Sequence, residues 1–146
     1  MNSDQLLLSN QICHRAYVLS NAITRAYRPL LNALDITYPQ YVVMMALWEQ
    51  DEIEINQLLK KTLIDAGAMS LILKKLQAKS LLSLTASEAD KRIKVVVLTD
   101  KGHNLKVLAL EIPAKIKSCA PSLTQAEINT FKALADKLNS DLLEMN

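Results

Sequence analysis

Asp65-Ala66-Gly67-Ala68-Met69-Ser70-Leu71-Ile72-Leu73-Lys74-Lys75-Leu76-Gln77-Ala78-Lys79 is the stretch on which the fold turns. Met69, Ile72, Leu73 and Leu76 recur at three- and four-residue steps, while Ser70, Lys74 and Lys75 face elsewhere. This is the pattern of a helix held by its back with its front free. Asp65 is suited to cap it, because a short carboxylate accepts from first-turn N–H groups. A shorter helix, about Ile55 to Thr62, precedes it across a few residues, and the pair predicts a helix-turn-helix. Beyond it, Leu82 to Thr85 and the largely β-branched run Ile93 to Leu98 predict two strands joined by the polar segment Ala86 to Arg92. Together they make a β-hairpin, or wing.

Working outward, Ile12, Ala16, Leu19, Ile23, Ala26, Leu30 and Leu34 draw one apolar stripe down a helix that starts from Ser9 and runs for about six or seven turns. Asp35-Ile36-Thr37 breaks the pattern. Pro39 then sits just inside the start of a second helix, which extends to about Gln50 and ends at the acidic pair Asp51-Glu52. After the wing, Thr99 or Asp100 opens a helix to about Ser118, interrupted at Pro113. Thr124-Gln125-Ala126-Glu127 is a capping box for the last helix, whose stripe is Ile128, Phe131, Leu134, Leu138 and Leu142. The first and last helices flank a small helix-turn-helix and wing, so their expected partners are each other and a second copy of the chain.

The fold class is therefore mainly α with a small β-hairpin wing, an α+β winged helix-turn-helix with helical dimerisation arms. Residues 1–146 are read as one domain, with 36–98 as the winged part and 1–35 and 99–146 as dimerisation helices. Composition agrees: 146 residues, half of them apolar, allow one core, and two glycines and four prolines favour helix over a turn-rich sheet. A net charge of +2 neither demands nor excludes a polyanionic partner. Two cysteines are too few for a disulfide framework, no leader pattern opens the chain, and apolar runs fall far short of the roughly 20 residues of a membrane span. A cytoplasmic, membrane-free protein is expected. His14 and His103 form no ligand cluster, so neither metal nor cofactor is expected. Nucleophile elbow, P-loop and dinucleotide fingerprint are likewise absent from the sequence.

Asp90-Lys91-Arg92 followed by Leu98-Thr99-Asp100-Lys101-Gly102 resembles the signature of the multiple-antibiotic-resistance regulator (MarR) family of winged-helix repressors. Asn10-Gln11-Ile12-Cys13, Tyr27-Arg28-Pro29-Leu30-Leu31 and Ile36-Thr37-Tyr38-Pro39-Gln40-Tyr41 further resemble its organic hydroperoxide resistance regulator (OhrR) branch. The likeness spans nearly the whole chain. It implies a homodimer that binds a pseudo-palindromic double-stranded operator and lets go when an organic hydroperoxide oxidises Cys13. It also implies that the hydroxyls of Tyr27 and Tyr38 lie near that sulfur, and that Cys119 is a resolving thiol for an intersubunit disulfide. Cys119 stands close to Pro121 in the connection between the last two helices, where a chain can move toward another sulfur.

Read without the resemblance, Cys13 is a small helical hydrophobe, and the tyrosines fill core with satisfied hydroxyls. About 21 Å of helix separates Tyr27 from its own Cys13, so any contact between them must cross a dimer. On the DNA side, Lys74 and Lys75 are candidates for phosphate or guanine, Ser70 for a base or phosphate, and Ala66 and Ala68 for thymine methyls. Arg92 at the wing resembles the family's minor-groove arginine, with Asp90 sharing its strand facing and holding it. The branch pattern is broken where Ala66 and Ala68 replace expected hydroxyls and where Thr85-Ala86-Ser87 replaces expected basic residues. Two rival readings are a same-fold regulator answering to a small aromatic ligand, with Cys13 structural, and a thiol peroxidase using Cys13 and Cys119. The peroxidase lacks an evident acid or base beside Cys13, so an enzyme is not expected.

Overall fold

Thr37 lies in extended backbone and donates its N–H to Gln40 Oε1 at 3.1 Å, which opens α2 (Tyr38–Glu49). Pro39 fits its first turn, where an N–H would lack a helical acceptor anyway. This helix is the centre of the fold. Tyr41, Val43, Met44, Ala46 and Leu47 are all buried, and α2 touches α1 (Ile12–Asn32), α3 (Ile55–Thr62), α4 (Ala66–Ala78) and α5 (Asp100–Ala109). Full burial of a side chain such as Met44, Leu47, Leu58 or Leu76 contributes roughly 1.5–3 kcal/mol.

The structure, a computed structural model, describes residues 3–145. The chain divides into two compact units, the first ending at Glu111 and the second beginning at Ile112. Asp65 caps α4 by accepting from the Ala68 N–H at 2.9 Å, and Met69, Leu73 and Leu76 are buried beneath it as the periodicity predicts. The hairpin strands are β2 (Leu82–Ala86) and β3 (Lys94–Leu98), antiparallel with Leu82 opposite Leu98 and Ala86 opposite Lys94.

The sheet has a third strand that the sequence reading misses. β1 (Ile53–Glu54) pairs antiparallel with β3, setting Ile53 opposite Val96, so the order is β1-β3-β2. Two residues are too few to show alternation. Ile53 and Val96 are buried together, tying the end of α2 to the wing. Helix limits also shift. Gln11, not Ser9, precedes α1, and Ser9 belongs to a 3₁₀ turn, Leu8–Asn10, that follows another, Ser3–Leu6. Pro113 does not end a helix: α5 stops at Ala109 and Pro113 sits in the first turn of α6 (Ile112–Ser118), where proline is tolerated. Non-glycine residues in the left-handed region, Asp35, Glu52, Leu63 and Ser80, follow the first four helices.

The start of α5 is fastened to the segment between α4 and β2. Thr99 accepts from the Gly102 N–H at 3.1 Å and donates its hydroxyl to Ser80 O at 2.6 Å, its N–H reaches Leu81 O at 3.1 Å, and Lys101 Nζ reaches Lys79 O at 2.8 Å. In the second unit, Thr124 and Glu127 close the expected capping box at the head of α7 (Gln125–Leu143), with Thr124 N–H to Glu127 Oε2 at 2.8 Å and Glu127 N–H to Thr124 Oγ1 at 3.2 Å.

Candidate functional site

The turn between α3 and α4 is made by Leu63, whose left-handed backbone reverses the chain in front of the Asp65 cap. With the buried stripe of α4 turned inward, Ser70, Lys74 and Lys75 are exposed, as are Ala66 and Gly67 at its start, while Ala68 is half-buried. The predicted contact residues thus share one accessible helix, though Ala68 stands at its edge.

At the wing, the polar loop bends so that Ser87 N–H meets Ile93 O at 2.8 Å and Ile93 N–H meets Asp90 O at 3.0 Å. Asp90 and Arg92 belong to this turn, not to a strand, so the shared facing predicted for them has a different origin. One carboxylate holds the arginine three ways: Oδ1 accepts from the Arg92 N–H at 3.0 Å and from Nε at 3.1 Å, and Oδ2 from Nη2 at 3.0 Å. The Arg92 hydrogen bonds keep the Asp90 carboxyl below its ordinary pKa, and Asp90 in turn raises that of the guanidinium. Lys91 and Lys94, both exposed, flank the pair. They were legible as the charge run from Asp90 to Lys94 but were not singled out.

Cys13 is exposed in the first turn of α1. The Gln11 side chain does not cap this helix; it donates backward to Gln5 O at 2.6 Å. Tyr27, fourteen residues on along the same helix, packs with its ring tilted 52° against Tyr38 of α2 at 4.8 Å between centroids and lies 5.8 Å from Tyr41. Cys13 and Tyr27 of one chain therefore stand about 21 Å apart, as the rise of an unbroken helix requires. Tyr41, to which the sequence reading gave no role of its own, completes the cluster and meets Trp48 edge-on at 6.2 Å. Its i, i+3 spacing from Tyr38 was the available signal. Burial, and then the neighbouring Tyr38 and Tyr41, raise the Tyr27 pKa above its ordinary value, and burial followed by Tyr38 does the same for Tyr41. Cys119 follows α6 directly, exposed, its thiol donating to Lys115 O at 3.3 Å.

Among the described residues no group of three or more His, Cys, Asp or Glu is placed to hold a metal, and no helix is long and apolar enough to cross a membrane. His103 pairs instead with Asp51 at 3.1 Å.

Residues 25–107 match the family described as Transcriptional regulator SarA/Rot. Over 113 residues the chain is 35% identical to the organic hydroperoxide resistance transcriptional regulator of Bacillus subtilis strain 168, covering 77% of each chain. Among solved structures, reduced AbfR bound to DNA superposes with a TM-score of 0.80 at 28% identity, covering 99% of both chains. Disulfide-formed AbfR gives 0.67 at 26% identity, covering 96% of both. AbfR is a protein of Staphylococcus epidermidis.

Proposed function

The chain belongs to the SarA/Rot family of transcriptional regulators, winged-helix proteins of MarR type, and from that premise we propose that it is a dimeric repressor that leaves its operator when an organic hydroperoxide oxidises Cys13. In this reading 36–98 is the DNA-binding part, and 1–35 with 99–146 joins two copies. Helix α4 enters the major groove with Ser70, Lys74 and Lys75, and with the methyls of Ala66 and Ala68, while Arg92 enters the minor groove.

The observation that carries the reading is an accessible Cys13 at the very start of a helix whose Tyr27 lies too far along to reach it. A Cys13–Tyr27 site exists only if Tyr27 and its neighbour Tyr38 meet the sulfur of a second copy. Apolar side chains are left exposed on each unit of one chain, Ile12, Leu19, Val107 and Leu108 on the first and Phe131 and Leu134 on the second, and a second copy could cover them.

The Cys13 thiolate attacks the distal oxygen of ROOH; the O–O bond breaks, an S–O bond forms, and ROH leaves after taking a proton, so sulfur has lost two electrons as sulfenic acid. The Cys119 thiolate then attacks that sulfur, the S–O bond breaks, hydroxide departs as water with one proton, and a disulfide forms. Bridging demands Cα atoms within about 7 Å, so closure of the bond would move the dimer arms and the wings with them.

The test is binding to DNA enriched from a random double-stranded pool, before and after organic hydroperoxide, for wild type and Cys13→Ser. Release of the wild type alone is expected. Equal release of Cys13→Ser removes the sensing role.

A further inference from the structure

Leu71 is 62% exposed, a large apolar side chain standing out on an otherwise polar helix face. A helix turns about 100° per residue, so Leu71 points some 160° away from both Met69 and Leu73, opposite the core and at the middle of the outward surface. Around it stand Ser70, Lys74 and Lys75, all exposed. Gly67 lies one turn earlier on the same face. It has no positive φ, and a β-carbon there would meet only Asp65 Oδ1, at 3.3 Å. Glycine is a poor helix former, and the contact an added β-carbon would make is a tight one with the oxygen that caps the helix.

Two cations around one apolar group describe a partner that is a polyanion with an apolar spot. In the major groove the thymine C5-methyl is that spot, the one apolar group on the base-pair edges. We propose that Leu71 is a specificity residue that reads thymine by packing on its C5-methyl, with Gly67 admitting the DNA close to the helix. The assignment rests on α4 entering the major groove. It separates Leu71 from Ala68, half-buried and some 60° around the helix, and from Ala66, which the helical turn carries about 140° away.

The probe is the double-stranded DNA that the wild-type chain enriches from a random pool, resynthesised with each thymine replaced in turn by uracil, a change of one methyl. Wild type should lose about fourfold in affinity at one thymine per half-site, the worth of a buried methyl. Leu71→Ala should bind thymine and uracil alike at that position, and Leu71→Met should keep the discrimination. Gly67→Ala should weaken binding to the same DNA, and unfolding curves for all variants verify that they fold. If wild type is indifferent to every uracil, or Leu71→Ala still discriminates, the assignment is wrong while the DNA-binding reading stands. If the wild-type chain enriches no sequence at all, that reading fails and the assignment falls with it.

Discussion

The carbonyl oxygen of Leu81 occupies the space where a β-carbon on Gly102 would stand, well inside the 3.0 Å that such contacts respect. The same glycine accepts at its own carbonyl from Trp48 Nε1 at 2.9 Å. Glycine at this point lets α5 seat on the chain leaving α4. Gly102→Ala should therefore destabilise the fold by about 1–3 kcal/mol, the gain in helix propensity being outweighed by the clash with backbone. Urea unfolding followed by Trp48 fluorescence measures it, and an unchanged midpoint would contradict the close approach.

Asp51 joins its own neighbour to two distant parts of the fold. Its Oδ1 accepts from the Leu98 and Glu52 N–H groups, both at 2.8 Å, and its Oδ2 faces His103 Nε2 at 3.1 Å. Asp51→Ala strands the Leu98 donor at the end of β3 and should cost about 1–3 kcal/mol. His103→Ala removes only the half-exposed partner and leaves both backbone donors satisfied, so it should cost at most about 1 kcal/mol. Thermal unfolding of the two variants should rank them in that order.

The Asp90 carboxyl titrates below the ordinary 3.8 because Arg92 binds its charged form. A depressed carboxyl pKa gives a contribution present above the free value and lost as pH falls through the lowered one, so the wing pair should be unchanged across neutral pH. Carboxyl NMR titration should show Asp90 moving back up in Arg92→Ala. That variant should also bind DNA more weakly at unchanged thermal stability; full affinity at moderate salt would take Arg92 out of the interface.

For Cys119, oxidised wild type is expected to run as a covalent dimer on non-reducing gels, with dithiothreitol restoring both the monomer and DNA binding. In Cys119→Ser, oxidation should stop at sulfenic acid or a mixed disulfide, and proceed at high peroxide to sulfinic and sulfonic acids seen by mass spectrometry. The same covalent dimer from Cys119→Ser would mean that Cys13 bridges to Cys13.

Elements with several turns of pattern were legible in the residues: α4 from Met69, Ile72, Leu73 and Leu76, and α7 from its Thr124–Glu127 box. What escaped was structure decided by distant partners. β1 exists because Val96 waits opposite Ile53, not because of any local alternation. Pro113 reads equally as a stop or a start until the break at Leu110–Glu111 is seen. At the candidate site, Arg92 and Cys13 were singled out through resemblance, which suggests roles but not surroundings. The three-way grip of Asp90, the aromatic cluster extended to Tyr41, and the outward stance of Leu71 depend on backbone direction.

The junctions after the first four helices are built from Asp35, Glu52, Leu63 and Ser80, at φ of 53°, 54°, 56° and 58°. Each side chain there opposes its own backbone by roughly 1–2 kcal/mol, least for Asp, whose short polar group tolerates the conformation. Among the described residues four such conflicts stand, so this sequence folds from below its ceiling. A hardier descendant lies a few substitutions away, with glycine at Leu63 the first step, and it would be reached by easing the corners while every core contact stayed as it is.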